Sequence, residues 1–201
     1  MSITTLVSLG VLILFGFYLV SIYNQLVTLR NRFKNGFAQI DVQLQRRHDL
    51  IPNLVESAKA YMQHEQDTLR MVMEARTRAM SATKAAAAHP EDGAAIKGLS
   101  SAETALNRAL ANFYAVAENY PELKANTTIQ QLMEELTSTE NKVGFARQSY
   151  NDAVMAYHTY REKFPNNFIA GFFAFKETEY LQLESPEAKQ PVRVSFDRTN
   201  S

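Results

Sequence analysis

The sequence predicts an all-α protein, an N-terminal transmembrane helix followed by a long antiparallel helical bundle of the four-helix type. Three observations carry this prediction. No Asp, Glu, Lys or Arg precedes Arg30, although the 201-residue chain holds 21 basic and 21 acidic side chains. Past that uncharged leader, apolar residues recur at steps of three and four, the period of an amphipathic helix. Four of the six prolines, at 52, 90, 121 and 165, punctuate this pattern into long segments. The charge balance is zero, which disfavours a general nucleic-acid binder. With no cysteine, disulfides and thiolate chemistry are excluded.

The leader comes first. Ile3 to Tyr23 is an uncharged run broken only by Thr and Ser, and it reaches roughly 30 Å as a helix, the thickness of a hydrocarbon core. No basic residue precedes it and no small-x-small site follows it, so it reads as a retained anchor and not as a signal peptide. Gly10 and Gly16 stand six apart and form no GxxxG dimer face. Arg30, Arg32 and Lys34 follow the span closely, so the positive-inside rule predicts a short external N-terminus and a cytoplasmic body. The same three residues suit contact with an anionic lipid surface, each worth about 1 kcal/mol, or a merely solvated helix face. The expected organisation is an anchor over 1–23, a bundle over 24–184 and an extended tail over 185–201.

Within the body, the first stripe runs Ile22, Leu26, Leu29, Phe33, Phe37, Ile40, Leu44, Ile51, Leu54, Ala58 and Tyr61. It goes on through Leu69, Val72, Ala75 and Ala79 with no turn signal except Pro52. Inside a helix, Pro52 removes one hydrogen bond and crowds the His48 carbonyl, so it kinks or ends the helix. The rhythm stays in phase across it, which favours the kink. The sequence His89-Pro90-Glu91-Asp92-Gly93 is a turn. A second stripe runs Leu99, Ala102, Leu106, Leu110, Phe113, Val116 and Tyr120. A third runs from Ile129 to Phe164, and Thr128 at its start stands three residues before Gln131, as in a capping box. Glu118, Glu122, Lys124 and Asn126 fill the turn before it and carry no assigned role. Asn166-Asn167 after Pro165 stops the third helix. Strand-like alternation occurs only at Val192 to Phe196, too short for a sheet.

The familiar catalytic patterns are missing. None of the four histidines has an acidic residue three positions before it, as a di-iron bundle needs. His64-Glu65 lacks the second histidine of a zinc protease. There is no phosphate-binding glycine loop and no Gly-x-Ser-x-Gly elbow. The expectation is a non-enzymatic protein with no cofactor and no metal.

Two clusters stand out. In Arg46-Arg47-His48-Asp49, Arg47 falls on the apolar seam between Leu44 and Ile51. One reading is a recognition patch for anionic lipid or a partner's acidic helix. A helix rising straight from Tyr23 lifts Arg46 about 35 Å off the surface, far past a Debye length of roughly 8 Å, which weakens the lipid version. The other reading is an internal pair of Arg47 with Glu140 on the third helix. Phe164, Phe168, Phe172, Phe173 and Phe175 form the second cluster, either closing the end of the bundle or exposing an apolar patch for self-assembly or a membrane-embedded partner.

The stretches Tyr23-Asn24-Gln25-Leu26-Val27 and Gln39 to Glu56 resemble the LemA family of bacterial membrane proteins. So do Tyr120-Pro121-Glu122-Leu123-Lys124-Ala125-Asn126, Thr139-Glu140, Ala146-Arg147, Tyr150-Asn151-Asp152-Ala153-Val154 and Phe164-Pro165. Gly36-Phe37 departs from the pattern, where a small residue followed by tryptophan is expected, and the chain has no tryptophan. The resemblance implies a single-pass protein of the bacterial inner membrane with a helical-bundle body, and it does not by itself imply an enzyme activity. It also suggests roles in membrane organisation or alongside membrane-bound zinc proteases. The expected function is a membrane-anchored scaffold held by lipids, assembling with copies of itself or with another membrane protein. The alternative is an accessory subunit of such a protease.

Overall fold

A computed structural model describes residues 2–182. Among them are six helices: α1 (Ile3–Lys59), α2 (Gln66–Ala88), α3 (Gly93–Ala117), α4 (Pro121–Ala125), α5 (Thr127–Glu162) and α6 (Asn166–Phe172). The chain is a helical bundle behind a long apolar helix. The tail over 185–201, with its Val192 to Phe196 alternation, lies outside the described residues.

The helix α1 runs 57 residues without interruption, about 85 Å. Its first part is long and apolar enough to cross a membrane and buries nothing. Burial begins at Ile22 and recurs at Leu26, Leu29, Phe33, Phe37, Ile40 and Leu44, the residues of the first stripe. Pro52 lies inside the helix and does not end it.

One segment overturns the sequence expectation. The first stripe does not stay on one helix to Ala79, because the chain turns over 60–65 before α2. Neither glycine nor proline marks this turn, so local propensity gives no warning. Tertiary contacts set it instead. Met62 is fully buried, the Tyr61 hydroxyl accepts from Asn126 Nδ2 at 3.0 Å, and Tyr120 donates its hydroxyl to Glu65 at 3.2 Å. The start of α5 is a second correction. Asn126, not Thr128, is its cap, and its Oδ1 accepts from the backbone N–H groups of Thr128 and Ile129. An Asx side chain before the helix satisfies these orphan amides better placed than a hydroxyl already inside it.

Within the bundle α1 lies along α5 and α2 along α3. The α1–α5 seam is aromatic: Phe33 meets Tyr157 edge-on at 5.2 Å and Phe37 meets Tyr150 at 5.8 Å. Gly36 eases this approach, because a Cβ there would sit 3.3 Å from Tyr150 Cα, a tight contact. Past α6, an extended segment over 175–182 straps the bundle. Arg161 Nε donates to the Phe175 carbonyl at 2.8 Å and Tyr157 to the Lys176 carbonyl at 2.8 Å. Further along, Tyr150 donates to the Glu179 carbonyl, and Asn151 exchanges two bonds with the backbone of Leu181.

Candidate functional site

The buried apolar residues fall into two clusters, and a polar layer separates them. One cluster holds Ile22 to Leu44 of α1 with Leu99 and Val143, the other Ile51 to Ala58 with Leu106 and Leu136. Between Leu44 and Ile51, α1 supplies Arg47 and His48, both buried. At the same level α2 supplies Thr83, α3 supplies Glu103 and Thr104, and α5 supplies Thr139 and Glu140.

Glu103 is the centre of this layer and is fully buried. Its Oε2 accepts from Arg47 Nη1 at 3.2 Å, and its Oε1 lies 2.8 Å from His48 Nε2. Arg47 Nη1 also sits 2.9 Å from Glu140 Oε2, an ion-pair contact that lacks hydrogen-bond alignment. Its Nη2 donates to Asn107 Oδ1. The three threonine hydroxyls turn back on their own helices, bonding the carbonyls of Ala79, Ser100 and Glu135. Arg76 of α2 closes the layer by donating Nε–H to the His48 carbonyl at 2.6 Å. In a low-dielectric interior these charges are tolerable only because each faces a partner.

The layer opens on one side into a cleft of about 250 Å³ between α3 and α5, lined by Arg47, Asn107, Tyr114 and Glu140 among others. Burial pushes the Tyr114 phenol above its usual pKa; Arg47 opposes that shift and Glu140 adds to it. The arrangement holds charges in fixed positions. No group of three or more His, Cys, Asp or Glu side chains is placed to hold a metal among the described residues.

The structure divides the other candidates. Arg46 and Asp49 point to solvent while Arg47 and His48 point inward, so the four do not form one patch. Of the membrane-proximal cations, Arg30 stacks over the Phe175 ring at 5.0 Å, Lys34 pairs with Glu91 at 3.0 Å, and Arg32 is exposed. Burial pushes the Glu91 carboxyl up, but Lys34 and the residue's own backbone N–H outweigh it and hold its pKa below the usual value. Phe175 is buried at the bundle end, whereas Phe164, Phe168, Phe172 and Phe173 are exposed. Sequence reasoning missed Glu103, although it sits on the α3 stripe between Leu99 and Leu106, an acid on an apolar face like Arg47 on its own.

Comparison with known proteins gives these residues a lineage. The chain is 26% identical over 189 residues to magnetosome proteins MamQ 1 and MamQ 2 of Paramagnetospirillum magneticum, covering 85% of this chain and 68% of theirs. It is 24% identical over 185 residues to magnetosome protein MamQ of Magnetospirillum gryphiswaldense, with the same coverage. The model of the LemA family matches residues 36–196, which takes in the polar layer, the strap and the aromatic seam apart from Phe33. The chain belongs to the LemA family.

Proposed function

We propose that this protein is a non-enzymatic, membrane-anchored scaffold whose rigid helical body presents interaction surfaces at a fixed height above the bilayer and assembles with copies of itself. The observation that carries this reading is the continuity of α1: one unbroken helix serves as anchor and as the central strut of the bundle. Such a joint has no flexible linker, so the body inherits the orientation of the span. Anchoring confines the molecule to two dimensions and raises the effective concentration for lateral contacts. A surface for such contacts exists between α1 and α5, where Val42 is 60% and Phe145 74% exposed beside Ala38 and Ala146. The relatives are named for a cell structure, the magnetosome, and not for a reaction, which supports a structural role here.

In this reading the anchor lies in the bacterial inner membrane, with the N-terminus outside and the body in the cytoplasm, as the basic residues after Leu29 suggest. Sizing and crosslinking of detergent-extracted protein test the assembly. A homo-oligomer that dissociates in Phe145→Asp is the expected result. A monomer that brings down a second polypeptide favours an accessory subunit and overturns the scaffold.

A further inference from the structure

Phe168 and Phe172 stand one turn apart on α6 at the α5–α6 end of the bundle, and Phe164, in the turn before it, meets the Phe168 ring edge-on at 5.9 Å. Phe164, Phe168 and Phe172 are 80%, 66% and 82% exposed, while α6 buries Ala170 in the core. Three exposed rings at one corner of the bundle form an apolar patch that water alone does not favour. Their position says what covers them. Phe173 and Phe175 contact the Tyr23 ring at 4.8 and 5.6 Å, and Tyr23 is the last residue of the uncharged apolar run. Tyr160, one turn before Phe164, lies within electrostatic reach of Tyr18, well inside that run. The Phe patch therefore stands at the level where α1 leaves the bilayer, beside the span itself. Lys163 and Lys176 adjoin it in sequence and are exposed, as are their neighbours Glu162 and Glu177. Exposed aromatic rings at this depth are what an interfacial segment presents to lipid.

We propose that α6 is a second membrane contact, lying in the headgroup–acyl boundary with Phe164, Phe168 and Phe172 immersed in the same bilayer that α1 crosses. This rests on the anchored reading, and its occupant is lipid, in continuity with the apolar span. The bundle then touches the membrane at two places, the emerging α1 and the returning α5–α6 corner.

The absence of tryptophan makes the test direct. Full-length single-tryptophan variants Phe172→Trp, Phe15→Trp in the span and Met71→Trp on the exposed face of α2 are reconstituted in phosphatidylcholine–phosphatidylglycerol vesicles. Some vesicles carry acyl chains brominated near the headgroup and others carry chains brominated near the bilayer centre. The expected result is a roughly twofold loss of Phe172→Trp emission with the shallow bromines, a smaller loss with the deep ones, and shielding from aqueous iodide. Phe15→Trp is quenched by lipid and Met71→Trp by iodide alone. If Phe172→Trp follows Met71→Trp while Phe15→Trp is quenched by bromolipid, the anchor stands and the α6 contact is wrong. Emission shielded from both quenchers means a protein partner, such as a second copy, covers the patch and equally overturns the proposal. Loss of bromine quenching at Phe15→Trp removes the anchor itself.

Discussion

Arg76 of α2 donates its Nε–H to the backbone carbonyl of His48 at 2.6 Å, and this is the carbonyl that Pro52, four residues later, has no N–H to satisfy. The proline and the arginine are thus two halves of one device: the helix surrenders an internal bond and the neighbouring helix supplies a charged replacement. The acceptor sits beside Arg47 and His48, so the device ties α2 to the polar layer.

Removing the donor leaves a buried carbonyl bare. Arg76→Met should lower stability by about 1.5–3 kcal/mol, the range for a hydrogen bond to a charged group. In a Pro52→Ala background residue 52 regains its N–H, and the cost of Arg76→Met should fall by roughly 1 kcal/mol. Urea unfolding of the four proteins in detergent, followed by circular dichroism, checks the cycle; strictly additive values contradict it.

The two acids of the layer should differ sharply. The Glu103 side chain is fully buried against Arg47 and His48, whereas that of Glu140 is 43% exposed. Glu103→Ala leaves Arg47 only Asn107 and the part-exposed Glu140, and should cost about 3–5 kcal/mol. Glu140→Ala should cost no more than about 1 kcal/mol, as for a solvent-screened pair. Equal losses in denaturant midpoint would mean that the burial difference does not matter.

Gly36 tests the close approach of α1 to α5. A methyl group there meets Tyr150 Cα at 3.3 Å, so the neighbour must give by a few tenths of an ångström. Alanine also gains up to about 1 kcal/mol of helix propensity over glycine, leaving Gly36→Ala near neutral. Gly36→Leu has no such escape and should lose about 1–3 kcal/mol through overpacking. Thermal melting of both variants decides between a tight and a tolerant seam.

Alkaline pH should loosen the strap. Burial pushes the pKa of Tyr150 and of Tyr157 above the ordinary value, and each donates its hydroxyl to a strap carbonyl. A group whose pKa is raised on folding contributes stability that is whole below its unfolded pKa, about 10, and is lost as pH climbs through the folded value. Unfolding free energy should therefore decline from about pH 10 upward. Phenolate absorbance should lag behind that of free tyrosine, and Tyr150→Phe with Tyr157→Phe should flatten the decline. A decline of equal steepness in the double variant would assign it elsewhere.

Much of this architecture is readable from the residues. The uncharged run to Tyr23 and the stripe from Ile22 to Leu44 mark one face of one helix, because burial there follows the helical period. The placement of Arg47 on that stripe points inward for the same reason. What escapes is decided by contacts between distant segments. The turn over 60–65 contains no residue that breaks a helix, and it is set by Met62, Tyr61 and Tyr120 meeting their partners in three dimensions. Asn126 reads as ordinary turn composition until its Oδ1 is seen facing two backbone amides. Glu103 could have been found by asking which acid interrupts an apolar stripe at the level of Arg47.

A helix without a joint also works as a lever. From Asn24 to Lys59 it extends about 54 Å, so a tilt of roughly 10° in the span carries the far end sideways by about 9 Å. Spans tilt to match hydrocarbon thickness. For an anchored chain, thinning or thickening of the local bilayer becomes a displacement of the turn over 60–65, large enough for a neighbouring molecule to sense. The tip of the bundle would then gauge the membrane from a distance.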